Sequence, residues 1–495
     1  MKLADVIDSI HVKHLVGTLQ VDVTGVHYDS RRVEAGGLFC ALQGGGRDGH
    51  DYIEAALENG AVAILSERPN PAAFAATWLQ VGDARAAMGL AAANFEGQPS
   101  LEFPVIGVTG TNGKTTTACL IHHLLQSVLH RAGLLGTIHY STGDAVVAAP
   151  HTTPESPDLQ HLLREMRERD CRAAVMEVSS HGLAQHRVTG VSFDVGIFTN
   201  LTQDHLDYHR TMDSYFEAKR ALFEQIDRDS RKKGAAILNI DDVYGDRLNK
   251  IHFEGLTKYT YGRSANADFQ AGAIRSDFNG TQFKLTFKER QFLVRIPLIG
   301  VFNVYNAVAA IASAYAIGCN LREVIAKMSG VPQVPGRLEA VGDRQINYRV
   351  FVDYAHTPDA LANVLETLRA LEPTRLITVF GCGGDRDMTK RAPMAATAEK
   401  LGDFCILTSD NPRTEDPRQI LDDAAEGFLG SDHEIIEDRR AAIRHAIQMA
   451  GERDIILIAG KGHETYQEIN GVRHDFDDRK IASACIAEKA EGGGR

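Results

Sequence analysis

The chain has 495 residues, 44% of them apolar and 24% charged, with a formal net charge of −12. That length exceeds one ordinary core and suits about three domains of roughly 150 residues, with the composition of a packed globular protein. No run of about 18 apolar residues is present to cross a bilayer, and the negative balance speaks against a nucleic-acid surface. The first residues, Met-Lys-Leu-Ala-Asp-Val-Ile-Asp, carry acids where a secretory signal needs an apolar stretch, so the chain is expected to stay in the cytoplasm. Cys40, Cys119, Cys171, Cys319, Cys382, Cys405 and Cys485 are scattered without a C-x-x-C pair and read as reduced core thiols, not a zinc or disulfide framework.

In chain order, the first 98 residues hold short strands and helices up to a boundary in Glu96-Gly-Gln-Pro-Ser100. Residues 103–117 then run from an apolar strand into a glycine-rich turn and a helix marked by Ile121, Leu124, Leu125 and Val128. The helix dipole and its unpaired N–H groups would face Gly110, Thr111, Asn112 and Gly113, which makes this a phosphate cradle. Lys114 can reach the terminal phosphates, and Thr115, followed by Thr116, offers a hydroxyl to Mg²⁺. Val108 stands where the strict G-x-x-x-x-G-K-[ST] pattern has glycine, so the loop is a variant form.

Further buried strands are expected at 173–178, 193–198 and 235–238, then, beyond a boundary near Val334-Pro-Gly-Arg337, at 350–352, 376–380, 404–407 and 455–458. Helical patterns such as Leu361, Val364, Leu365, Leu368 alternate with the later strands, which predicts a parallel α/β architecture. Polar runs follow nearly every strand, where open parallel sheets bind ligands. They are Met176-Glu-Val-Ser-Ser-His-Gly182, Thr199-Asn-Leu-Thr-Gln-Asp-His-Leu-Asp-Tyr-His209, Asp353-Tyr-Ala-His-Thr-Pro358, Gly381-Cys-Gly-Gly-Asp-Arg-Asp387, Thr408-Ser-Asp-Asn-Pro-Arg413 and Ala459-Gly-Lys-Gly-His-Glu464.

With Gly107-Val-Thr-Gly-Thr-Asn-Gly-Lys-Thr-Thr116 and Gly300-Val-Phe-Asn-Val-Tyr-Asn-Ala307, these runs resemble the Mur ligase family of peptidoglycan synthesis over essentially the whole chain. The resemblance implies an α/β fold in three domains: 1–98 for the uridine nucleotide, a central P-loop ATPase at 99–335 with a mostly parallel sheet, and a Rossmann-like domain at 336–495 for the amino acid. Thr408 to Pro417 resembles the branch that adds meso-diaminopimelate to UDP-N-acetylmuramoyl-L-alanyl-D-glutamate. The implied activity is that of an ATP-dependent acid–amino-acid ligase working through an acyl phosphate, as a cytoplasmic monomer that engages neither nucleic acid nor membrane. Two anions meeting at ~4 Å oppose each other by about 4 kcal/mol at an effective dielectric of 20, so the reaction needs fixed cations.

Site residues carried over from the family are expectations of the same kind. Lys114 and Mg²⁺ serve ATP, with Thr115 and Glu177 on one metal and His205 and a carbamylated Lys219 on a second; carbamylation turns a repelling cation into a carboxylate. From spacing alone Lys219 reads as a surface helix lysine and His205 could equally cap a turn. Asn303, Asn306, Arg337, Asp353 and His356 are assigned to adenine, ribose and phosphates, although the two asparagines could cap a helix. Ser30 would contact the uridine nucleotide, and Thr152, Thr153, Ser179, Gln185 and Arg187 the muramoyl dipeptide; His151 stands where Asn is common. Arg413 would bind the second carboxylate of diaminopimelate bidentately, Asp410 and Asn411 the neighbouring ammonium, and Pro412 would stiffen the loop, with Arg386, Gly460 and Glu464 completing the pocket. A lysine-adding relative or a folylpolyglutamate synthase-like ligase stays open, with Arg413 and the N-terminal domain against both, and so does a nucleotide switch that joins nothing.

Overall fold

The computed structural model describes residues 1–44, 46–71, 74–342 and 346–492. They form two compact units, one of residues 1–201, 209–269 and 309–324, the other of 202–208, 270–308 and 325–495. Among the described residues no helix is long and apolar enough to cross a membrane.

In the first unit the N-terminal sheet runs in the order Val12–Val16, Thr77–Val81, Ala63–Ser66, Gly37–Ala41, Gly25–His27, parallel except for its first strand. Its strands are short apolar runs, and Leu38, Leu65 and Leu79 pack against Met88 and Ala91 of helix Ala84–Phe95. Asp83 caps that helix by accepting from the Ala86 N–H at 2.8 Å.

The same unit holds the strand of the phosphate loop, Val105–Thr109, buried along its whole length. Ala174–Glu177 and Val195–Phe198 flank it in parallel, with Gly133–Leu135 beyond the first and Gly234–Asn239 and Leu256–Gly262 beyond the second. Burial on both faces is why these strands read as continuous apolar runs. All the central strands expected from the sequence are present, with ends shifted by one or two residues. Helix Lys114–Leu129 follows the loop and buries Ile121, Leu124 and Leu125, as its spacing predicts, while Val128 is half-buried.

In the second unit the C-terminal sheet runs Glu339–Val341, Arg349–Asp353, Ile455–Ala459, Leu376–Phe380, Phe404–Leu407, His433–Ile435, with only the first strand antiparallel. Helices Pro358–Arg369, Arg391–Leu401 and Pro417–Ala425 contribute to the apolar core on one face, and Arg439–Met449 and Asp478–Gly492 to the core on the other. This doubly wound arrangement brings the polar runs after residues 353, 380, 407 and 459 to one edge of the sheet, at the strands' carboxyl ends. The sequence reading did not anticipate the antiparallel ladder Phe269–Asp277, Gly280–Phe287, Arg290–Ile296. Its middle strand alternates half-buried and buried residues, and its second turn is Lys288-Glu289 in left-handed backbone, a turn without the glycine that would announce it.

Candidate active site

The phosphate loop owes its shape to backbone that only glycine adopts without strain. Gly110 has φ +146°, and a Cβ there would lie 1.9 Å from the Thr199 Oγ1; Gly113, at φ +85°, precedes the first turn of helix Lys114–Leu129. The loop is pinned by the run that follows the neighbouring strand. Asn200 accepts from the Asn112 N–H through Oδ1 at 2.9 Å and from the Thr111 N–H through its carbonyl at 2.9 Å, while the Thr199 hydroxyl donates to the Asn112 carbonyl at 2.7 Å. Lys114 Nζ folds back onto the carbonyls of Gly110 (2.9 Å) and Thr111 (2.7 Å).

Thr115 and Thr116 are buried in the first helical turn, and the Thr115 hydroxyl donates to Glu177 Oε2 at 2.9 Å. Glu177 is fully buried at the end of its strand, and its Oε1 accepts from the Thr137 N–H at 2.7 Å. A buried carboxylate held by neutral donors is a donor set that suits a hard divalent cation. Lys219 is 1% exposed, which overturns the surface-lysine alternative. Its Nζ donates to the Gly110 carbonyl at 2.8 Å and lies 4.5 Å over the Tyr215 ring, whose hydroxyl meets the Thr111 hydroxyl at 3.2 Å. His205 belongs to the other unit; it stands in left-handed backbone just before the short helix Leu206–His209, with Nε2 3.4 Å from Asp204 Oδ2.

The residues assigned to the muramoyl dipeptide converge on Thr153. Its hydroxyl donates to the Glu177 carbonyl (2.9 Å) and lies 3.1 Å from Ser179 Oγ, and its own carbonyl accepts from Arg187 at 3.0 Å. Gln185 Oε1 accepts from Arg187 at 2.7 Å, and Glu155 takes Arg187 Nε at 3.0 Å and Arg85 at 3.3 Å. Thr152 is tied through its hydroxyl to Thr137 at 3.1 Å. His151 has an exposed side chain and gives its carbonyl to the Tyr140 hydroxyl. Ser30 is buried at the start of a short 3-10 turn. Nearby, Asp158 accepts from the Tyr28 hydroxyl at 2.6 Å and pairs with Arg32 at 2.9 Å; burial and that hydrogen bond push the Tyr28 phenol well above its ordinary range.

In the second unit Asp353 closes its strand and accepts from the N–H groups of Leu338 (2.6 Å) and Ala355 (2.7 Å). Burial raises its carboxyl to about 6 against the opposing pull of Arg337. The Arg337 guanidinium lies 4.8 Å over the Tyr354 ring, which also meets the rings of His356 (4.7 Å) and His463 (5.2 Å). Asn303 and Asn306 are buried inside helix Val301–Ala316, not at its N-cap: Asn303 donates to the Ile299 carbonyl at 2.9 Å and accepts from Asn306 at 3.1 Å. The helix-cap alternative therefore fails.

At the amino-acid loop, Asp410, Asn411 and Pro412 are buried, and Arg413 is half-buried in left-handed backbone (φ 53°). Its main chain is clamped by the Glu468 carbonyl (3.0 Å) and the Asn470 N–H (2.6 Å), and its guanidinium donates to the Gly384 carbonyl at 2.6 Å, so it is not a solvated turn residue. Arg386 is exposed and donates to the Asp385 carbonyl at 3.0 Å. Gly460 has φ +118°, and a Cβ there would come 2.5 Å from Asp410 Oδ2. Asn411 Nδ2 donates to Glu464 Oε2 at 2.8 Å.

The structure thus gathers Gly110 to Thr116, Glu177 and Lys219 at one loop, Thr152, Thr153, Ser179, Gln185 and Arg187 in an adjoining network, and Asp410 to Arg413, Gly460 and Glu464 at another sheet edge. Sequence reasoning missed Thr137, Glu155, Tyr215 and the fully buried Lys461, all of which touch these groups. Tyr215 offered a signal: with Lys219 and Phe223 it falls at i, i+4, i+8, on the buried face of helix Met212–Arg228.

A phosphate loop with a metal-suited carboxylate, and polar loops at the carboxyl ends of parallel strands, define a nucleotide-dependent enzyme of α/β architecture. Three family models match in series: "Mur ligase family, catalytic domain" at 22–96, "Mur ligase middle domain" at 108–314 and "Mur ligase, glutamate ligase domain" at 336–462. Among similar proteins, the UDP-N-acetylmuramoyl-L-alanyl-D-glutamate--2,6-diaminopimelate ligase of Geobacter metallireducens is 44% identical, covering 100% of both chains. That of Geobacillus kaustophilus is 45% identical over 94% of this chain and 96% of its own. A solved structure of a ligase of the same description superposes with a TM-score of 0.70 at 35% identity, covering 99% of each chain. The chain belongs to the Mur ligase family, and its fold is the family's three-domain α/β fold with a mostly parallel central sheet.

Proposed function

We propose that the chain is the ATP-dependent ligase that joins meso-diaminopimelate to UDP-N-acetylmuramoyl-L-alanyl-D-glutamate in peptidoglycan precursor synthesis. The observation that carries the reading is the buried Thr115–Glu177 pair at the phosphate loop, one strand end away from the Thr153–Arg187 network, so that a nucleotide site and an anion site share one unit. Gly110 to Thr116 would cradle the ATP phosphates through backbone N–H groups, with Lys114 turned outward to the terminal phosphate. Thr115 and Glu177 would hold Mg²⁺, which when bound neutralises the phosphate oxygens. The assignments of Lys219, as a carbamate, and of His205 to a second magnesium belong to the same proposal.

Arg187 and Thr153 orient the substrate so that its carboxylate oxygen attacks the γ-phosphorus, the bond to ADP breaks, and an acyl phosphate forms. The amine of diaminopimelate then attacks the acyl carbon, phosphate leaves with the bridging oxygen, and the ammonium proton is lost to solvent. Arg187 is positioned for this by Glu155 and Gln185, which hold its guanidinium while leaving it close to the Thr153 carbonyl. On the amino-acid side the Arg413 guanidinium meets the distal carboxylate, and the acids Asp410 and Glu464 meet the ammonium. The domain division at 98/99 and 335/336, a cytoplasmic location and a monomeric state complete the proposal. Substrate labelled with ¹⁸O in the reacting carboxylate tests it: one ¹⁸O in the released phosphate is expected, and unlabelled phosphate overturns the acyl-phosphate route.

A further inference from the structure

Lys461 places its side-chain nitrogen where no solvent reaches. It is 0% exposed, just past strand Ile455–Ala459, between two glycines in left-handed backbone, Gly460 (φ +118°) and Gly462 (φ +53°). Its Nζ donates to Asn411 Oδ1 at 2.9 Å and to Glu464 Oε2 at 3.1 Å. A buried lysine with two such partners is held for what it does to them.

Its effect on Asn411 is unambiguous. Asn411 Oδ1 also accepts from the Glu468 N–H at 2.9 Å, and a backbone N–H can only donate, so the amide orientation is fixed. Both lone pairs of Oδ1 are then engaged. The oxygen has nothing left for a ligand ammonium, contrary to the expectation that Asn411 receives it. Its Nδ2 instead donates to Glu464 Oε2 at 2.8 Å, so that one oxygen of Glu464 takes both Asn411 and Lys461. Two donors on that one oxygen restrict the rotation of the carboxylate. Asp410, whose Oδ2 overhangs Gly460, is a second acid at this end of the sheet.

We propose that Lys461 is a positioning residue for amino-acid selection: it fixes Asn411 and one oxygen of Glu464, so that Glu464 Oε1 and Asp410 become the ammonium receptor next to the Arg413 guanidinium. The inference rests on the diaminopimelate ligase reading above. Lys461 touches no reacting atom in this scheme, and its effect falls on KM for the amino acid.

The test is steady-state kinetics of the full chain carrying Lys461→Met, Glu464→Gln or both, with phosphate release and product mass as readouts. Lys461→Met is expected to raise KM for meso-diaminopimelate by about 30-fold or more, and to leave KM for ATP and for the muramoyl substrate within about twofold. Because both changes act on one receptor, the double variant is expected to fall well short of the product of the single effects. Lys461→Gln retains volume and one donor, and gives a readout should the methionine variant not fold. Ethylammonium added to Lys461→Ala is expected to restore part of the lost diaminopimelate affinity. An unchanged KM for diaminopimelate, an equal rise for all three substrates, or full multiplicativity with Glu464→Gln overturns the role of Lys461. A parent protein that makes no product with diaminopimelate overturns the functional reading instead.

Discussion

Gly110→Ala probes the phosphate loop at the point of least tolerance. The added Cβ would sit 1.9 Å from Thr199 Oγ1 and 3.1 Å from the Asn200 carbonyl, in backbone at φ +146° that an L side chain resists. Overpacking of this kind costs about 1–3 kcal/mol and the backbone conformation a similar amount. Thr199 cannot step aside freely, because its hydroxyl donates to the Asn112 carbonyl at 2.7 Å and moving it releases the loop. The Gly110 carbonyl also receives both Lys114 and Lys219, at 2.9 and 2.8 Å, so a shift there displaces two lysines together. Displacement of such groups by about 1 Å costs on the order of 100-fold in rate. We expect kcat/KM for ATP to fall by at least about that factor, with KM for diaminopimelate little changed, measured by coupled ADP release at saturating co-substrates. Thr199→Ser in the Gly110→Ala background keeps the clashing oxygen and should not restore activity. A Gly110→Ala enzyme within twofold of the parent refutes the loop geometry as the basis of nucleotide binding.

Three further perturbations report on separate parts of the site. Glu155→Gln removes the carboxylate that Arg187 and Arg85 share at 3.0 and 3.3 Å, and should raise KM for the muramoyl substrate by roughly 10-fold while sparing ATP, as read from initial rates. Under ¹³CO₂ a carbamate carbon signal should appear in the ¹³C NMR spectrum of the parent and be missing from Lys219→Ala; its absence from the parent excludes the modification. Asp353 has a carboxyl raised by burial from 3.8 to about 6, so the folded state binds its proton more tightly than the unfolded chain. Its contribution to stability is therefore fully present below about pH 4 and lost as pH rises through 6, a change of about 3 kcal/mol. Asp353→Asn should flatten that part of the pH dependence in urea denaturation between pH 4 and 7, and an unchanged slope contradicts the assignment.

The buried strands were legible because burial on both faces writes an uninterrupted apolar run: Leu376–Phe380 and Phe404–Leu407 stand where they were expected, to the residue. The ladder at 269–296 was not, since half-buried alternation is diluted by polar residues and its turn lacks glycine. At the site, the phosphate loop announced itself by glycines with a physical reason to be glycine. Lys219 and Lys461 did not, because a lysine is by default a surface residue and only the fold shows that both are sealed. For Lys219 the spacing from Tyr215 to Phe223 held the information, whereas Lys461 depends on Asn411, 50 residues away in sequence. Asn411 is the converse case: its residue type suggested a ligand contact, and the fold shows its amide bonded to Lys461, Glu464 and the Glu468 N–H.

The ligase activity and its selector are tested together by incubating the protein with ATP, Mg²⁺ and UDP-N-acetylmuramoyl-L-alanyl-D-glutamate, offering meso-diaminopimelate or L-lysine, and weighing the product, in the parent and in Arg413→Ala. A tripeptide product is expected with diaminopimelate alone, formed with one phosphate released per amide and lost in the variant. Equal use of lysine contradicts the role of Arg413, and phosphate release without any amide contradicts the ligase itself.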